Sequence, residues 1–430
     1  MEQNVKKSYG HRVVMSAWLA VFVLFGYRAT FSVLQGPMAE STGWTSGELS
    51  LGYSLMMSIY AITAFLSGYI IDRWGTRPAY IIGAIFACLG FLVTSTVDSY
   101  IQYLASYSIF AGIGTGMLWV SSTISVRKWY VGKSYATMWG IAFTGAPAAQ
   151  VLLSLGIDGV IEDMGWRLAM QLLAIIVLIA LLVAGILAKK NPEDYNMVPF
   201  GSNEKNTSSK DHHKNADTSR IWSVKEAFVT PAIWVVIIAF LSAMIGEFLI
   251  WTQVVNYFII DANLSQTTAT NLYVVIGLAG LVTMPLMGII ADKVVSMVGD
   301  ETKGRKYMLV FAPAVGIVAC LLLLLTDQAI VLGGTASVLF AIYWAIEPGG
   351  AAGYAGAVYG QISLGKIWGL STLIVMGIGP ALGSFMGGFL YDLTGSYNNS
   401  ILFAMGAFTL STIAACLLPL KISSNSDHPK

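Results

Sequence analysis

The sequence predicts an all-α polytopic membrane protein: twelve transmembrane helices in two six-helix bundles, with both termini in the cytoplasm. Three observations predict it. Of the 430 residues, 56% are hydrophobic and only 11% charged, with a mean hydropathy of +0.69. An ordinary soluble domain carries about 25% charged residues, and no single soluble core could bury this much apolar surface. Apolar runs of about 20 residues, the length that crosses a bilayer, recur along the whole chain. One long polar segment separates the runs into two equal sets. In lipid each run must satisfy its own backbone hydrogen bonds, so each is expected to be a helix.

The first six runs fall at 13–38, 47–71, 78–96, 100–126, 134–156 and 166–188. The second six fall at 230–258, 268–291, 307–325, 329–350, 366–390 and 397–420. Residues 1–188 therefore form an N-terminal bundle and 230–430 a C-terminal bundle, joined by a cytoplasmic linker over 189–229. The middle of that linker, Ser202-Asn-Glu-Lys-Asn-Thr-Ser-Ser-Lys-Asp-His-His-Lys, is a solvated, disordered composition. Basic residues before the first run imitate a signal peptide. The run is too long and has no small-residue cleavage site, so it reads as a retained helix. With the termini in the cytoplasm, all but two of the 24 Lys and Arg residues lie on that side. The exceptions are Arg167, outside, and Arg28, within the first span, and this asymmetry sets the orientation.

Several function classes drop out. A net charge of +1 supplies no basic face for nucleic acid. Cys88, Cys320 and Cys416 sit in apolar stretches and form neither a disulfide framework nor a metal-spaced pair. No Ser/His/Asp, metal or intramembrane His constellation supports a membrane enzyme, and the short termini leave no signalling domain for a receptor. No cofactor and no metal are expected. The expected partners are a small organic acid or zwitterion, protons and the lipid bilayer, and the expected state is a monomer in the cell's inner (plasma) membrane.

The two halves repeat. After the second span stands Gly68-Tyr-Ile-Ile-Asp72-Arg73-Trp74-Gly75-Thr76-Arg77, and after the eighth Gly288-Ile-Ile-Ala-Asp292-Lys293. In each, a Gly precedes an Asp by one helical turn. The Gly allows close helix contact, and the Asp can pair with a base across a loop. The first copy resembles the signature of the major facilitator superfamily. Finer features resemble the monocarboxylate-porter and oxalate/formate-antiporter branch. These are Thr42-Gly-Trp-Thr-Ser-Gly-Glu, Arg127-Lys-Trp-Tyr, Gly165-Trp-Arg, Lys190-Asn-Pro-Glu-Asp-Tyr195, Gly379-Pro-Ala-Leu-Gly and Tyr391-Asp-Leu-Thr-Gly-Ser-Tyr397. The resemblance covers nearly the whole chain. It implies secondary active transport by alternating access, with spans 1, 4, 7 and 10 lining the cavity. It also implies that Gly68, Asp72, Arg73, Arg77 and Asp292 form a conformational latch. The plainer reading of these residues is that they only set topology.

Three ionisable residues fall inside spans, where charge is costly and functional by default: Arg28, Glu247 and Glu347. Arg28 and Glu247 stand at nearly the same depth in spans 1 and 7. Glu347 stands in span 10 at about the depth of Trp119 in span 4. Arg28 stays charged and suits a substrate carboxylate. The alternative is a fixed ion pair with Glu247 or Glu347. Both glutamates are candidate proton carriers or, alternatively, cation ligands. The plain reading of Glu347 is a helix end, because Pro348-Gly-Gly follows. Anion-carrying relatives hold a base in span 8 where this chain has Met284, so a simple dianion such as oxalate is not expected.

Tyr27, Trp119, Trp251, Tyr343 and Trp344 lie near these charges in sequence or depth. They are expected to shape a pocket for a small carboxylate, to cage an organic cation, or merely to pack. The leading expectation is a proton-coupled monocarboxylate transporter, and the alternative is a carrier of a betaine- or amino-acid-like zwitterion or an organic cation.

Overall fold

A computed structural model describes residues 2–130, 133–198, 200, 222–327, 329–359 and 361–420. It has twelve helices long and apolar enough to cross a membrane. Spans 1 to 6 are Tyr9–Thr42, Ser46–Gly68, Thr76–Thr94, Tyr100–Val126, Met138–Met164 and Trp166–Leu187. Spans 7 to 12 are Pro231–Ile260, Gln266–Val298, Glu301–Leu323, Ile330–Tyr359, Ile367–Thr394 and Asn398–Leu417. The architecture agrees with a multi-pass location in the plasma membrane. We term the face bearing the N-terminus and the ends of the linker inner, following the charge asymmetry, and the opposite face outer.

Local chemistry sets the helix ends. Thr45 and Glu48 close a reciprocal capping box at the start of span 2, and Ser265 caps span 8. Pro231 opens span 7 at a position where its missing N–H costs nothing. The motif residue Gly75 turns the chain from span 2 into span 3 at φ +85°, a conformation that requires glycine. One expected boundary is corrected, and one span with its expected bounds is irregular inside. Span 10 does not break at residues 348–350 but continues to Tyr359, so Glu347 is a mid-helix residue. Span 4 is not uniform: a π-helical stretch, Leu104–Ala111, is followed by a further break before the helix resumes at Trp119.

Packing repeats between the halves. Span 1 lies on 5 and 6, span 2 on 4, and span 3 on 6; span 7 lies on 11 and 12, span 8 on 10, and span 9 on 12. The bundles meet through spans 2 and 11, 5 and 8, and 1 and 7. The 2–11 and 5–8 contacts exchange under the internal repeat, as two related bundles around a central axis require. Small residues permit the closest approaches. A Cβ on Gly383 would come within 2.2 Å of the Ile245 carbonyl of span 7.

The linker ends are fastened to the bundles. The Phe200 N–H donates to Trp129 O at 2.8 Å, at the inner end of span 4. Thr230 Oγ1 bonds the Tyr359 hydroxyl at 2.6 Å, at the inner end of span 10. The polar middle of the linker, expected to be disordered, lies outside the described residues.

Candidate functional site

Arg28 is 7% exposed in the middle of span 1. Its guanidinium lies over three rings: Phe25 at 4.8 Å, Tyr60 of span 2 at 5.0 Å and Phe248 of span 7 at 5.4 Å. Such contacts hold a desolvated cation by ring electrostatics. Its Nε has no hydrogen-bond partner, and among the described residues it forms no ion pair. The fixed Arg28–glutamate pair is therefore absent in this conformation.

Glu247 projects from span 7, buried, and accepts a hydrogen bond from the Tyr343 hydroxyl of span 10 at 3.1 Å. That hydroxyl also reaches the Ala243 carbonyl at 3.1 Å, so one phenol ties spans 7 and 10 together. Glu347, one turn along span 10 from Tyr343, is fully buried, and neither carboxyl oxygen has a partner. The structure thus groups Glu247, Tyr343 and Glu347 within the C-terminal bundle, with Arg28 across the bundle interface.

The tryptophans form the wall between the bundles. Trp251 meets Trp344 edge-on at 4.9 Å, and Trp344 lies 5.9 Å from Phe25, the ring beneath Arg28. Trp119 joins from span 4 through Phe25 at 6.4 Å and through Phe143 and Trp139 of span 5. Tyr27 does not join the charges. Its hydroxyl donates to Ala87 O of span 3, and its ring stacks on Phe91 at 3.8 Å. Adjacent helical residues point about 100° apart, so the residue next to Arg28 faces the inside of its own bundle.

Phe25, Tyr53, Tyr60 and Phe248 also belong to the site, although none is singled out by its sequence. The Tyr53 hydroxyl is buried without a partner. Tyr53 and Tyr60 stand two turns apart on one face of span 2, a readable spacing. Nothing in that spacing tells which span the face meets.

Above this level, toward the outer face, amides close the interface. Gln35 of span 1 and Gln253 of span 7 both donate to the Ser50 hydroxyl, at 3.0 and 2.8 Å. Asn256 of span 7 donates to Gln35 Oε1 at 2.9 Å. Gln150 of span 5 donates to the Tyr273 carbonyl of span 8 at 2.9 Å.

The expected latch sits at the other face. The side chains of Asp72 and Asp292 lie outside the described residues. Arg73 stacks on Trp74 at 5.2 Å, and neither it nor Arg77 pairs with a described carboxylate. Among the described residues, a Cβ on Gly68 or Gly288 would meet nothing within 4 Å. The close helix contact expected of these glycines is not made with any described residue.

A family model described as Major Facilitator Superfamily matches residues 17–375. The chain belongs to the major facilitator superfamily. Its fold and family are those of membrane-embedded transporters. A fujikurins efflux protein of Gibberella fujikuroi is 28% identical over 39% of this chain and 36% of its own length. Human monocarboxylate transporter 2 is 24% identical over 53% of this chain and 45% of its own. The chain thus spans under half the length of these relatives. A D-xylose–proton symporter superposes with TM-score 0.70 at 13% identity, over 96% of both chains. An inward-facing bacterial homolog of the human lysosomal transporter Spinster gives 0.69 at 14%, over 95% of this chain and 96% of its own. At such identities these superfamily structures share the fold alone.

Proposed function

We infer that this transporter carries a small organic monocarboxylate together with a proton. Arg28 binds the carboxylate. One observation carries the reading: a permanently charged guanidinium is buried at mid-membrane, boxed by three rings, and left without a paired carboxylate. A charge so placed is costly unless its counter-ion arrives with the cargo. Trp119, Trp251 and Trp344, with Phe25, shape the apolar part of the pocket. Glu247 and Glu347 handle the proton. A carboxyl buried with both oxygens unpartnered, as Glu347 is, is stable only with a proton or an incoming cation on it. Relatives named monocarboxylate transporters, at 23–25% identity, support the branch. The missing base at Met284 argues against dianions.

Glu347 also favours a second reading. A zwitterion would place its carboxylate on Arg28 and its cationic group toward the glutamates, against Trp251 and Trp344. Flux into proteoliposomes separates the two. The panel holds lactate-like acids, oxalate, amino acids and betaines, with and without an inward proton gradient. Gradient-driven uptake of a monocarboxylate is the expected result. Uptake of betaines or amino acids alone would replace the first reading with the second, and no uptake of either class would refute both.

A further inference from the structure

The motif Tyr391-Asp-Leu-Thr-Gly-Ser-Tyr397 takes no part in the site, yet it bonds the bundles directly to one another. Asp392, at the outer end of span 11, accepts two main-chain hydrogen bonds from the start of span 2. Ser46 N–H reaches Oδ1 at 3.1 Å and Gly47 N–H reaches Oδ2 at 2.7 Å. Span 2 does not need this carboxylate to begin. Thr45 and Glu48 already cap one another's backbone N–H groups from within the same helix. Asp392 takes the two N–H groups that the internal cap leaves over, and it takes them from the opposite bundle.

The surroundings fit that contact closely. A Cβ on Gly47 would lie 2.4 Å from Asp392 Oδ2, and one on Gly388 would lie 2.4 Å from the Ser46 carbonyl. The Tyr397 hydroxyl bonds Ser46 Oγ at 2.8 Å, and burial holds that phenol well above its ordinary range, so it keeps its proton. Asp261 at the end of span 7 fixes the turn that carries Tyr397, accepting Tyr397 N–H at 2.8 Å and Ser396 Oγ at 2.5 Å. The internal repeat supplies a counterpart. Asp158 of span 5 accepts from Thr270 Oγ1 at 2.9 Å and Gln266 Nε2 at 3.3 Å at the start of span 8. The outer face is thus fastened at repeat-related places.

The geometry points to Asp392 as a positioning residue for transport: it clamps the first turn of span 2 to span 11 and keeps the cavity shut to the outside until the bundles rock apart. Charge-assisted bonds to two backbone donors, aligned with the positive end of a helix, make the clamp strong when closed. Opening hands those donors to water, so the clamp is reversible. It acts through Ser46 and Gly47 and touches no substrate.

The test uses the full-length protein in lipid nanodiscs, with Cys88, Cys320 and Cys416 replaced by Ser. Spin labels go at Met164 and Val331, exposed outer-face positions on opposite bundles. Pulsed dipolar spectroscopy then reads the outer separation without any substrate. Asp392→Ala removes the acceptor, and Gly47→Ala pushes it away from the other side. A shift toward longer distances in either single variant, not extended in the double variant, is the expected result. We expect the open fraction to rise about fivefold. Unchanged distances in both variants, or additive shifts in the double, would overturn the clamp. The readout stands whether or not the monocarboxylate reading survives.

Discussion

Tyr343 donates its hydroxyl to Glu247 across spans 10 and 7 at 3.1 Å, while Glu347, one turn further along span 10, has no partner for either oxygen. Two carboxyls in one bundle thus have opposite surroundings. One is hydrogen-bonded and near the bundle interface, and the other is sealed. This difference divides the predictions that follow.

Glu247→Gln keeps an acceptor for Tyr343 and the volume of the side chain, so the fold is expected to hold. Net uptake should lose its dependence on the proton gradient, while exchange of substrate across the membrane continues. Uptake and counterflow measured in one proteoliposome preparation check this. Undiminished gradient dependence would remove Glu247 from coupling.

Glu347→Leu replaces an unpartnered buried carboxyl by an apolar group of similar size. Such replacements are neutral or stabilising by about 1–3 kcal/mol. We expect an unchanged or higher Tm in detergent, together with loss of proton-driven accumulation. A lower Tm would show that the carboxyl is satisfied after all.

Arg28→Gln should cut carboxylate uptake by about 100-fold, because the cation at mid-membrane is gone. Arg28→Lys should not restore it. An ammonium lacks the planar fork that lies over the Phe25, Tyr60 and Phe248 rings and grips a carboxylate at two points. Initial rates at saturating and low substrate decide the matter. Wild-type flux in the Gln variant would end the anchor role.

Gly383→Ala and Gly68→Leu should fail in different ways. The first drives a Cβ into the Ile245 carbonyl at 2.2 Å and should abolish folded yield. The second meets no described residue at its Cβ, so yield and Tm should hold. If the inner faces must close on Gly68 during the cycle, turnover in that variant should fall about tenfold. Size-exclusion yield and flux are the paired measurements.

Much of this was legible before any coordinates. Hydropathy alone marks twelve spans, because lipid admits little else, and Arg28, Glu247 and Glu347 stand out as charges where charge is expensive. What stayed hidden depends on the facing of helices. The rings around Arg28 come from three different spans, and apolar residues on a membrane helix look alike whether they face lipid or cavity. Tyr27 misleads for the same reason: nearness in sequence to Arg28 places it a quarter-turn away. The Asp392 contact is hidden because its partner lies 346 positions away in a backbone amide.

The π-helical stretch in span 4, Leu104–Ala111, holds surplus backbone just before Trp119. Rewinding one such wide turn into α-helix would move everything beyond it by one residue, about 1.5 Å along the axis and 100° around it. Trp119 would then swing off Phe25, the ring beneath Arg28. Span 4 is thus built like a wound spring with a ring at its tip, and how tightly that one coil is wound sets where Trp119 meets Phe25.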